Sequence, residues 1–402
     1  MSEQVETRST QIAGVSRRRL LGAAAGAAVA GMAVRPTLAS AQTQPIALKM
    51  QSGFPAKDIF HEVAVDWGKK VEEMSGGRLK IDMLPGGAVV GAFQIIEAVH
   101  TGTLDGGVAV PAYWFGKQVA FSLFGTGPSF GLDADGLLGW IHYGGGQALY
   151  DELVQKELKL DVQSYFFGPM PTQPLGWFKK GEIKSPADFK GMKYRTVGLS
   201  ADLFKQLGAS VVILPGGEIV PALDRGVIDG AEFNNTTSDK GLGFQDVSKI
   251  MMAQSYHQPV EFLEMLINKK KLDAMPKDLQ AIIKYGTMAE SADMGWKFQD
   301  RNSADLIELK EKHKVRVVKT PRSVLDAQLK AWDAIVDEKA KTNQFFVKVL
   351  ESQRKWAARV VPWRQEIMVD NNPAYAHYFR PKPAADKPAA GTPAAAPAKK
   401  SN

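Results

Sequence analysis

The spacing of apolar residues alternates between helical and strand periods along most of the chain. Residues 79–84 alternate apolar and polar side chains, as a half-buried strand does. The pattern also predicts a helix over 201–207 with Ser200 as its N-cap, strands over 210–214 and 262–268, and long helices over 324–340 and 345–368. An earlier helix is predicted by apolar residues at helical spacing: Phe60, Val63, Ala64, Trp67, Val71 and Met74. Short strands between helices indicate an α/β fold.

One unit of sequence occurs twice. Leu84-Pro85-Gly86-Gly87 precedes a helical stretch, an Asp-Gly pair and an apolar strand, and Leu214-Pro215-Gly216-Gly217 precedes the same succession. Each copy is typical of a strand, a Pro-Gly turn, a helix stopped by glycine, and a second strand. We expect the copies to lie in different sheets. Ligands of open α/β sheets bind at the carboxyl ends of the strands, so two such sheets that face each other would form a cleft.

The length of the chain predicts two lobes, because single cores stop growing near about 250–300 residues. We expect each lobe to be a mixed sheet flanked by helices. Lobe I is predicted to comprise residues 42–166 and about 257–300, and lobe II residues 167–256 and about 301–343. Residues 344–379 form a predicted helical extension. Its two Trp residues indicate packing across the lobes or onto a second subunit.

Both ends of the chain differ from its body. A twin arginine precedes an apolar, Ala-rich run over 20–34 and a small-residue cleavage pattern that ends at Ala41. This predicts a Tat-type signal peptide over 1–41 and export to the periplasm. A membrane anchor is the alternative, although the run is shorter than the roughly 20 residues that a spanning helix needs. Residues 380–402 are rich in Ala, Pro and Lys, and we expect them to be disordered.

Composition excludes several classes of function. The net charge of +7 comes from residues 1–41, which carry +3, and residues 380–402, which carry +4, so the body is neutral and does not favour nucleic acid. There is no Cys, which excludes disulfides and thiolate chemistry. The His residues lack metal-binding spacing, and there is neither a G-x-S-x-G motif nor a P-loop. We therefore predict a binding protein without an organic cofactor, not an enzyme.

Two polar residues are placed where a ligand could be bound. Gln173 lies in a Pro-rich segment that stiffens its backbone, although this segment can also be a plain interlobe linker. Arg195 ends a predicted strand, where a guanidinium can hold a carboxylate through two parallel hydrogen bonds. A solvent-exposed Arg195 is the alternative.

Glu232 follows the second Asp-Gly strand and is therefore also predicted at the cleft. A carboxylate beside an anionic ligand needs a bridging cation or its own proton, and Gln and Glu oxygens suit sodium or calcium. A structural ion pair of Glu232 with Lys or Arg is the alternative. Phe233 and Asn234, next in sequence, are included as candidate ligand contacts.

Three ring side chains complete the candidate site. Tyr113 and Trp114 follow the strand of the first repeat and are candidates for the pocket wall, although aromatic residues are as often in the core. His257 precedes the strand that re-enters lobe I. Its ring faces either the cleft or, as is common for a single His, the protein interior.

The segments 81–114, 168–177 and 194–239 closely resemble periplasmic solute receptors of tripartite ATP-independent periplasmic (TRAP) transporters, in the subgroup that takes 2-oxo acids and related organic acids. The resemblance implies a two-lobed periplasmic-binding-protein fold with hinge strands and a long helix that spans both lobes. It implies that Arg195 pairs with the substrate carboxylate. It also implies that Gln173, Glu232 and the backbone carbonyl of Phe233 bind a cation that bridges to the ligand. Position 233 is often Trp in the family, so Phe233 leaves the substrate size open.

From the resemblance we expect a periplasmic receptor that binds a small monocarboxylate and passes it to TRAP membrane subunits, with a homodimer formed through 345–368. Ligand is expected to stabilise the closed form, because closure without a carboxylate would bury Arg195 as an uncompensated charge. The alternatives are an exported hydrolase or isomerase, with Glu232 as base and His257 as acid, and a receptor of the same fold that signals.

Overall fold

Two β-sheets organise residues 44–379, which are the residues that this computed structural model describes. The predicted signal peptide over 1–41 and the predicted tail over 380–402 lie outside this range. None of the helices within 44–379 is both long enough and apolar enough to cross a bilayer.

The strands are short, from two residues in β8 to seven in β1. In chain order they are β1 Ile46–Ser52, β2 Leu79–Leu84, β3 Gly106–Ala109, β4 Val162–Phe167, β5 Gly176–Phe178, β6 Lys193–Arg195, β7 Ser210–Val212, β8 Gly230–Ala231, β9 Ile250–Ala253, β10 Leu263–Asn268 and β11 Arg316–Lys319.

The helices flank both sheets and continue to the end of the described range. They are α1 Ile59–Met74, α2 Ile95–Thr101, α3 Ala134–Tyr143, α4 Gly146–Asp151, α5 Ser200–Gln206, α6 Gly216–Asp224, α7 Thr236–Leu242, α8 Phe244–Val247, α9 Lys269–Asp273, α10 Lys277–Glu311, α11 Arg322–Thr342, α12 Gln344–Ile367 and α13 Asn372–Phe379. Single 3₁₀ turns and one π-helical turn, Glu152–Glu157, connect some of them.

The two sheets confirm the predicted mixed α/β architecture. The first has the order β2-β1-β3-β10-β4, in which β10 runs antiparallel to its neighbours. The second has the order β11-β9-β5-β8-β6-β7, in which β5 is antiparallel to β8 and β9. The chain enters the second sheet at β5 and returns to the first through β10. The chain thus passes between the sheets more than once, and the residues at which one lobe ends and the other begins stay a prediction.

The sequence repeat corresponds to a repeat of topology. The units β1-α1-β2-α2-β3 and β6-α5-β7-α6-β8 each place their first strand between the other two, with parallel pairing on both sides. One unit lies in each sheet, which confirms the expectation that the copies are separated. In the first copy, Gly102 adopts φ 80° at the end of α2, so a glycine stops the helix as predicted.

Two predicted boundaries are wrong for identifiable reasons. Ser200 is the first residue of α5 instead of its N-cap, because the preceding Leu199 already has helical dihedral angles (φ −64°, ψ −16°). The Ser200 hydroxyl donates to the backbone carbonyl of His257 at 3.1 Å. Strand β7 ends at Val212, short of the predicted Leu214. The carbonyl of Leu214 accepts hydrogen bonds from the side chain of Arg195 and is therefore not available to a sheet.

Helix α10 spans 35 residues and forms salt bridges with two helices, one next to each sheet. Its Glu290 accepts from Lys70 of α1 at 2.7 Å, and α1 packs on β2 of the first sheet. Further along, Asp305 and Glu308 accept from Lys240 of α7, which follows β8 of the second sheet. The helix therefore connects the two halves, as the resemblance implies.

The C-terminal helices change from buried to exposed along their length. The first half of α12 buries Phe345, Phe346 and Val349, mainly against residues 119–131. The second half exposes Trp363, and α13 buries no residue. The first half of the extension therefore packs on the body of the protein, whereas packing across the lobes or onto a second subunit stays a prediction.

Glu264 is a buried carboxyl whose effect on stability can be tested by changing the pH. It lies in β10, is fully buried, and accepts from Trp114 Nε1 at 2.7 Å and Ser164 Oγ at 2.6 Å. Burial raises the pKa of Glu264 to about 7. Since the unfolded chain ionises this carboxyl at lower pH, the free energy of unfolding should fall as pH rises from about 4.5 to 7, by at most about 1.4 kcal/mol per pH unit.

We expect Glu264→Gln to reduce the loss of unfolding free energy between pH 5 and pH 8, measured by urea denaturation. The exposed Glu218→Gln is the matched control and should retain the wild-type pH dependence. An unchanged pH dependence in Glu264→Gln would contradict the assignment.

Candidate functional site

The carboxyl ends of parallel strands from both sheets meet at one small cavity. Its free volume is about 10 Å³, roughly the space of one water molecule, so the sheets are closed over it. The strand ends of the two repeats therefore border one cavity, where the sequence places a cleft. That a ligand binds there stays a prediction. The lining residues on or after these strands are Phe54, Val110, Tyr113, Arg195, Val197, Phe233 and Asn234.

Antiparallel strands contribute to the same edge through their amino ends. Gln173 precedes β5, whereas Gln258 and Glu261 precede β10, and all three line the cavity. Phe60, from the first turn of α1, completes the wall. The cavity therefore combines apolar and aromatic sides with a few polar groups, which is the common design of small-ligand sites.

Arg195 is the cation of the site and is 1% exposed. Its Nε and Nη2 donate to the carbonyl of Leu214 at 2.9 and 2.7 Å. Its Nη1 donates to the carbonyl and the Oε1 of Glu232 at 3.0 and 2.8 Å. These contacts fix the guanidinium plane at the end of β6.

The hydrogen-bond count limits what Arg195 can offer a ligand in this conformation. A guanidinium has five N–H donors, and four of those on Arg195 are already used within the protein. One Nη2 hydrogen is left for a ligand oxygen. The two parallel hydrogen bonds expected from the sequence would therefore require Glu232 or Leu214 to give up a contact.

Glu232 is fully buried and paired with Arg195, which was the alternative considered for it. Burial raises the pKa of Glu232, and the charge of Arg195 opposes that rise. Its Oε2 lacks a hydrogen-bond partner within bonding distance among residues 44–379, although the nearby Thr196 hydroxyl lowers the pKa of the carboxyl. Glu232 lies beside Arg195 and outside the cavity lining. The expectation that closure without ligand leaves Arg195 uncompensated is wrong, because Glu232 supplies the opposite charge.

Gln173 and Asn234 are brought together by Glu261. The side-chain amides of Gln173 and Asn234 both donate to Glu261 Oε2, the latter at 2.9 Å. Gln258 donates to Glu261 Oε1 at 2.9 Å. Burial, with the nearby charge of Glu232, raises the pKa of Glu261 to about 8. One carboxyl group therefore orients three amide side chains around the cavity.

Sequence reasoning missed Glu261 and Gln258. The rule that places ligands at carboxyl ends does not select residues that lead into an antiparallel strand. A signal was nevertheless present, since Glu261 stands between Val260 and Phe262 in an apolar run. When such a run is buried, a charged residue within it must either be paired or have a functional role.

Phe233 lies against the guanidinium, with its ring centroid 5.6 Å from Arg195 Cζ. The turn of the second repeat makes room for the ring. A Cβ at Gly216 would lie 2.5 Å from the ring of Phe233, closer than such contacts permit. The Leu-Pro-Gly-Gly turn therefore both orients Arg195, through the Leu214 carbonyl, and accommodates the aromatic wall.

Tyr113 and Trp114 have different environments. Tyr113 lines the cavity, and its ring makes an edge contact with Phe93 at 4.9 Å between centroids. Trp114 does not line it, because its indole is buried and bonded to Glu264 in the first sheet. Of the two aromatic candidates, the structure places one in the wall and the other in the core.

His257 is fully buried and lies outside the cavity lining. Its Nδ1 is 2.6 Å from Ser255 Oγ, and its backbone carbonyl accepts from Gly127. Burial and the charge of Arg195 lower the pKa of His257 to about 3. The ring is therefore neutral at physiological pH and structural in its contacts.

Three buried side-chain oxygens near the cavity have no hydrogen-bond partner within the described range: Gln173 Oε1, Gln258 Oε1 and Glu232 Oε2. An acceptor buried without a partner carries an energetic cost, which a bound cation would remove. Carboxylate and amide oxygens fit a hard cation such as sodium or calcium. Among residues 44–379 no cluster of three His, Asp or Glu side chains could hold a metal, so the amide oxygens would be essential.

The chain was compared with known proteins. The profile of the bacterial extracellular solute-binding proteins of family 7 matches residues 50–343. A monocarboxylate 2-oxoacid-binding periplasmic protein from Nostoc sp. is 32% identical over 305 residues, covering 75% of this chain and 82% of the relative.

Solved structures agree with this relationship. A TRAP periplasmic solute-binding protein from Pseudoalteromonas atlantica, with bound sodium and pyruvate, is 28% identical with a TM-score of 0.76, covering 84% of this chain and 100% of that one. A TRAP solute-binding protein from Bordetella bronchiseptica, a mixed-occupancy dimer with calcium and picolinate, has the same identity and TM-score and covers 81% and 95%. The chain therefore belongs to family 7 of the bacterial extracellular solute-binding proteins, which includes the receptors of TRAP transporters.

Proposed function

We propose that this protein is the periplasmic receptor of a TRAP transporter and binds a small organic monocarboxylate, such as a 2-oxo acid or lactate-like acid, between its two sheets. The observation that carries the proposal is Arg195, a buried guanidinium at the wall of a cavity whose other sides are largely aromatic and apolar. A single cation in such a wall favours an anion with one carboxylate over a dianion. The 2-oxo acid named for the Nostoc relative and the pyruvate in the Pseudoalteromonas structure fit this chemistry.

The proposed site combines Arg195 with a cation. Gln173, Glu232 and the carbonyl of Phe233 are the proposed cation ligands, and Gln258 joins them because its Oε1 is also without a partner. When bound, sodium or calcium would neutralise the repulsion between Glu232 and the ligand carboxylate. Glu261 would keep Gln173 and Gln258 oriented, since it accepts from the amide nitrogen of each.

Tyr113, Phe233 and Asn234 are the proposed contacts to the rest of the ligand. Tyr113 and Phe233 contribute ring surface, and Asn234 is held by Glu261 and by Asp239, which accepts from its backbone N–H at 3.1 Å. Trp114 and His257 would act only through the residues they support. The smaller Phe233, where the family often has Trp, would leave more room for the ligand tail.

Uptake would depend on a shift between open and closed forms. Because Glu232 already pairs with Arg195, the ligand competes with an internal carboxylate for the guanidinium. We propose that the cation draws Glu232 away from Arg195 and so makes ligand and cation binding favour each other. Transfer to TRAP membrane subunits follows from the family.

The hydrolase or isomerase alternative has less support. It requires His257 as an acid, but the ring is buried outside the cavity and its pKa is lowered to about 3. A proton donor at neutral pH needs a pKa near the working pH. We therefore propose a receptor without catalytic residues. A signalling receptor would use the same site and differ only in its membrane partner.

We propose that residues 1–41 direct export by the Tat route. The family is extracellular, which agrees with export. The twin arginine and the apolar run that follows it support this specific route.

We also propose that the protein forms a homodimer through its C-terminal helices. A groove of about 890 Å³ lies between α3, α10 and α12 and is lined by Trp296, Trp356 and Trp363. Further along the chain, α13 exposes Tyr375, Tyr378 and Phe379. Apolar patches of this kind usually mark an interaction site, and the Bordetella structure is a dimer.

Arg195→Ala should weaken pyruvate binding by at least about 2 kcal/mol, which is about 30-fold, because it removes one partner of a buried charge pair. Calorimetry with calcium present measures the change, and circular dichroism checks folding. Arg195→Lys, which keeps the charge, should bind with intermediate affinity. The exposed Arg225→Ala is the control, and wild-type affinity in Arg195→Ala would exclude the proposed role.

Glu232→Gln should reduce the effect of calcium on pyruvate affinity by about tenfold, since charge count sets the affinity of oxygen sites for calcium. Titrations in calcium, sodium and chelator measure this dependence. If the variant shows the full calcium effect, Glu232 is not a cation ligand.

Trp363→Glu should convert the dimer to a monomer in light-scattering measurements of molar mass, because a charge would be buried in the interface. Val227→Glu is the control, because it places the same charge at an exposed apolar residue between α6 and β8. It should leave the molar mass unchanged. A wild-type monomer at all protein concentrations would reject the dimer.

A further inference from the structure

The amino end of α1 contacts α7 across the two halves of the molecule. Asp58 caps α1, and its Oδ1 accepts from the backbone N–H of Phe60 at 3.1 Å. The same oxygen accepts from Ser238 Oγ, in the first turns of α7, at 2.9 Å. Asp58 is 1% exposed and Ser238 is fully buried. This hydrogen bond therefore links a helix of the first sheet to a helix of the second in a site without solvent.

Among the described residues, the hydroxyl of Ser238 forms a single hydrogen bond, the one to Asp58. The backbone N–H of Ser238 is capped by Asn235 Oδ1 at 3.0 Å. Nearby, Lys57 Nζ donates to the carbonyl of Leu242 at 3.4 Å, and a Cβ at Gly241 would lie 3.3 Å from the carbonyl oxygen of Lys57. The backbone just before α1 therefore lies close to the backbone of α7, beside the Asp58–Ser238 hydrogen bond.

Both partners are close in sequence to the cavity wall. Phe60, two residues after Asp58, lines the cavity from the first sheet's side. Asn234, four residues before Ser238, lines it from the other side, and Asp239 bonds its backbone N–H. Formation of the Asp58–Ser238 bond therefore fixes the distance between two opposite walls of the ligand site.

We propose that the Asp58–Ser238 hydrogen bond is a latch that holds the two lobes closed, and that these two residues are positioning residues for ligand binding. The inference rests on the proposed function, because it assumes that ligand is bound between the sheets. In an open form water would solvate both groups, and closure exchanges that water for one bond to a buried carboxyl. In the closed arrangement the Ser238 hydroxyl supplies one of the two hydrogen bonds that the buried Asp58 carboxyl accepts. A buried acceptor that lacks a donor costs free energy, so the latch favours closure.

Ser238→Ala isolates the latch, since it removes the hydroxyl and leaves the Asp58 cap on α1 intact. We expect this variant to bind pyruvate about tenfold more weakly in the presence of calcium. Asp58→Asn keeps an acceptor for both hydrogen bonds and should stay within about threefold of the wild type. Ser303→Ala, an exposed serine of α10, is the matched control. A similar loss in all three variants would indicate general destabilisation and overturn the latch.

A second measurement reports closure directly. The chain has no Cys, so spin labels can be placed at Glu73→Cys and Lys205→Cys, which are exposed positions in α1 and α5. Pulsed electron resonance then measures the distance between the lobes with and without pyruvate and calcium. We expect the short-distance population to be smaller in Ser238→Ala than in the wild type at equal pyruvate concentration.

The outcomes separate the latch from the proposed function. If pyruvate closes the wild type and Ser238→Ala equally, the latch is rejected and the receptor stands. If no acid changes the distance but Ser238→Ala still lowers the short-distance population, the ligand class is rejected and the latch stands. If the wild type shows no short distance under any condition, both are rejected.

Discussion

The buried contact between Arg195 and Glu232 determines what the rest of the site can do. It joins the ends of β6 and β8, two adjacent parallel strands, and is shielded from solvent on both sides. A charge of either sign left alone there would cost several kcal/mol. Glu232 therefore supplies the counter-charge of Arg195, and a ligand carboxylate must compete with Glu232 for the guanidinium. Selectivity among ligands then depends on how well the ligand carboxylate competes with Glu232 for the guanidinium and on how well the rest of the ligand fits the cavity.

The buried carboxyls extend this constraint through the core. Glu261 organises the amides at the cavity, Glu264 holds Trp114 behind it, and Asp239 holds Trp177 at 2.7 Å on the second sheet. Each of these acids has its pKa raised by burial. The aromatic residues thus have defined orientations because their N–H groups need acceptors. A polar network of this kind supports the apolar walls from behind.

The sequence was sufficient to predict the fold because its patterns are local. Two copies of a strand-turn-helix-strand unit, with glycines at the turns, predicted two sheets, and the structure has one copy in each. Arg195, Glu232 and Gln173 could be selected as candidates because they lie at strand ends or in a Pro-rich loop. Arg195 and Gln173 line the cavity, and Glu232 pairs with Arg195 outside the lining. Glu261 was missed because its role depends on β10 running antiparallel, which is a tertiary property. The burial of Trp114 and His257 away from the cavity likewise depends on partners distant in sequence, Glu264 for Trp114 and Phe204 for His257.

The glycine at position 216 has a consequence for the size of this pocket. The ring of Phe233 occupies the space where any other residue at 216 would place its Cβ. A side chain at position 216 would therefore require the ring at position 233 to move or to be replaced by a smaller group. The size of this part of the cavity wall can thus be altered at position 233 while the Pro-Gly-Gly turn stays the same, whereas a side chain in the turn would alter the wall as well.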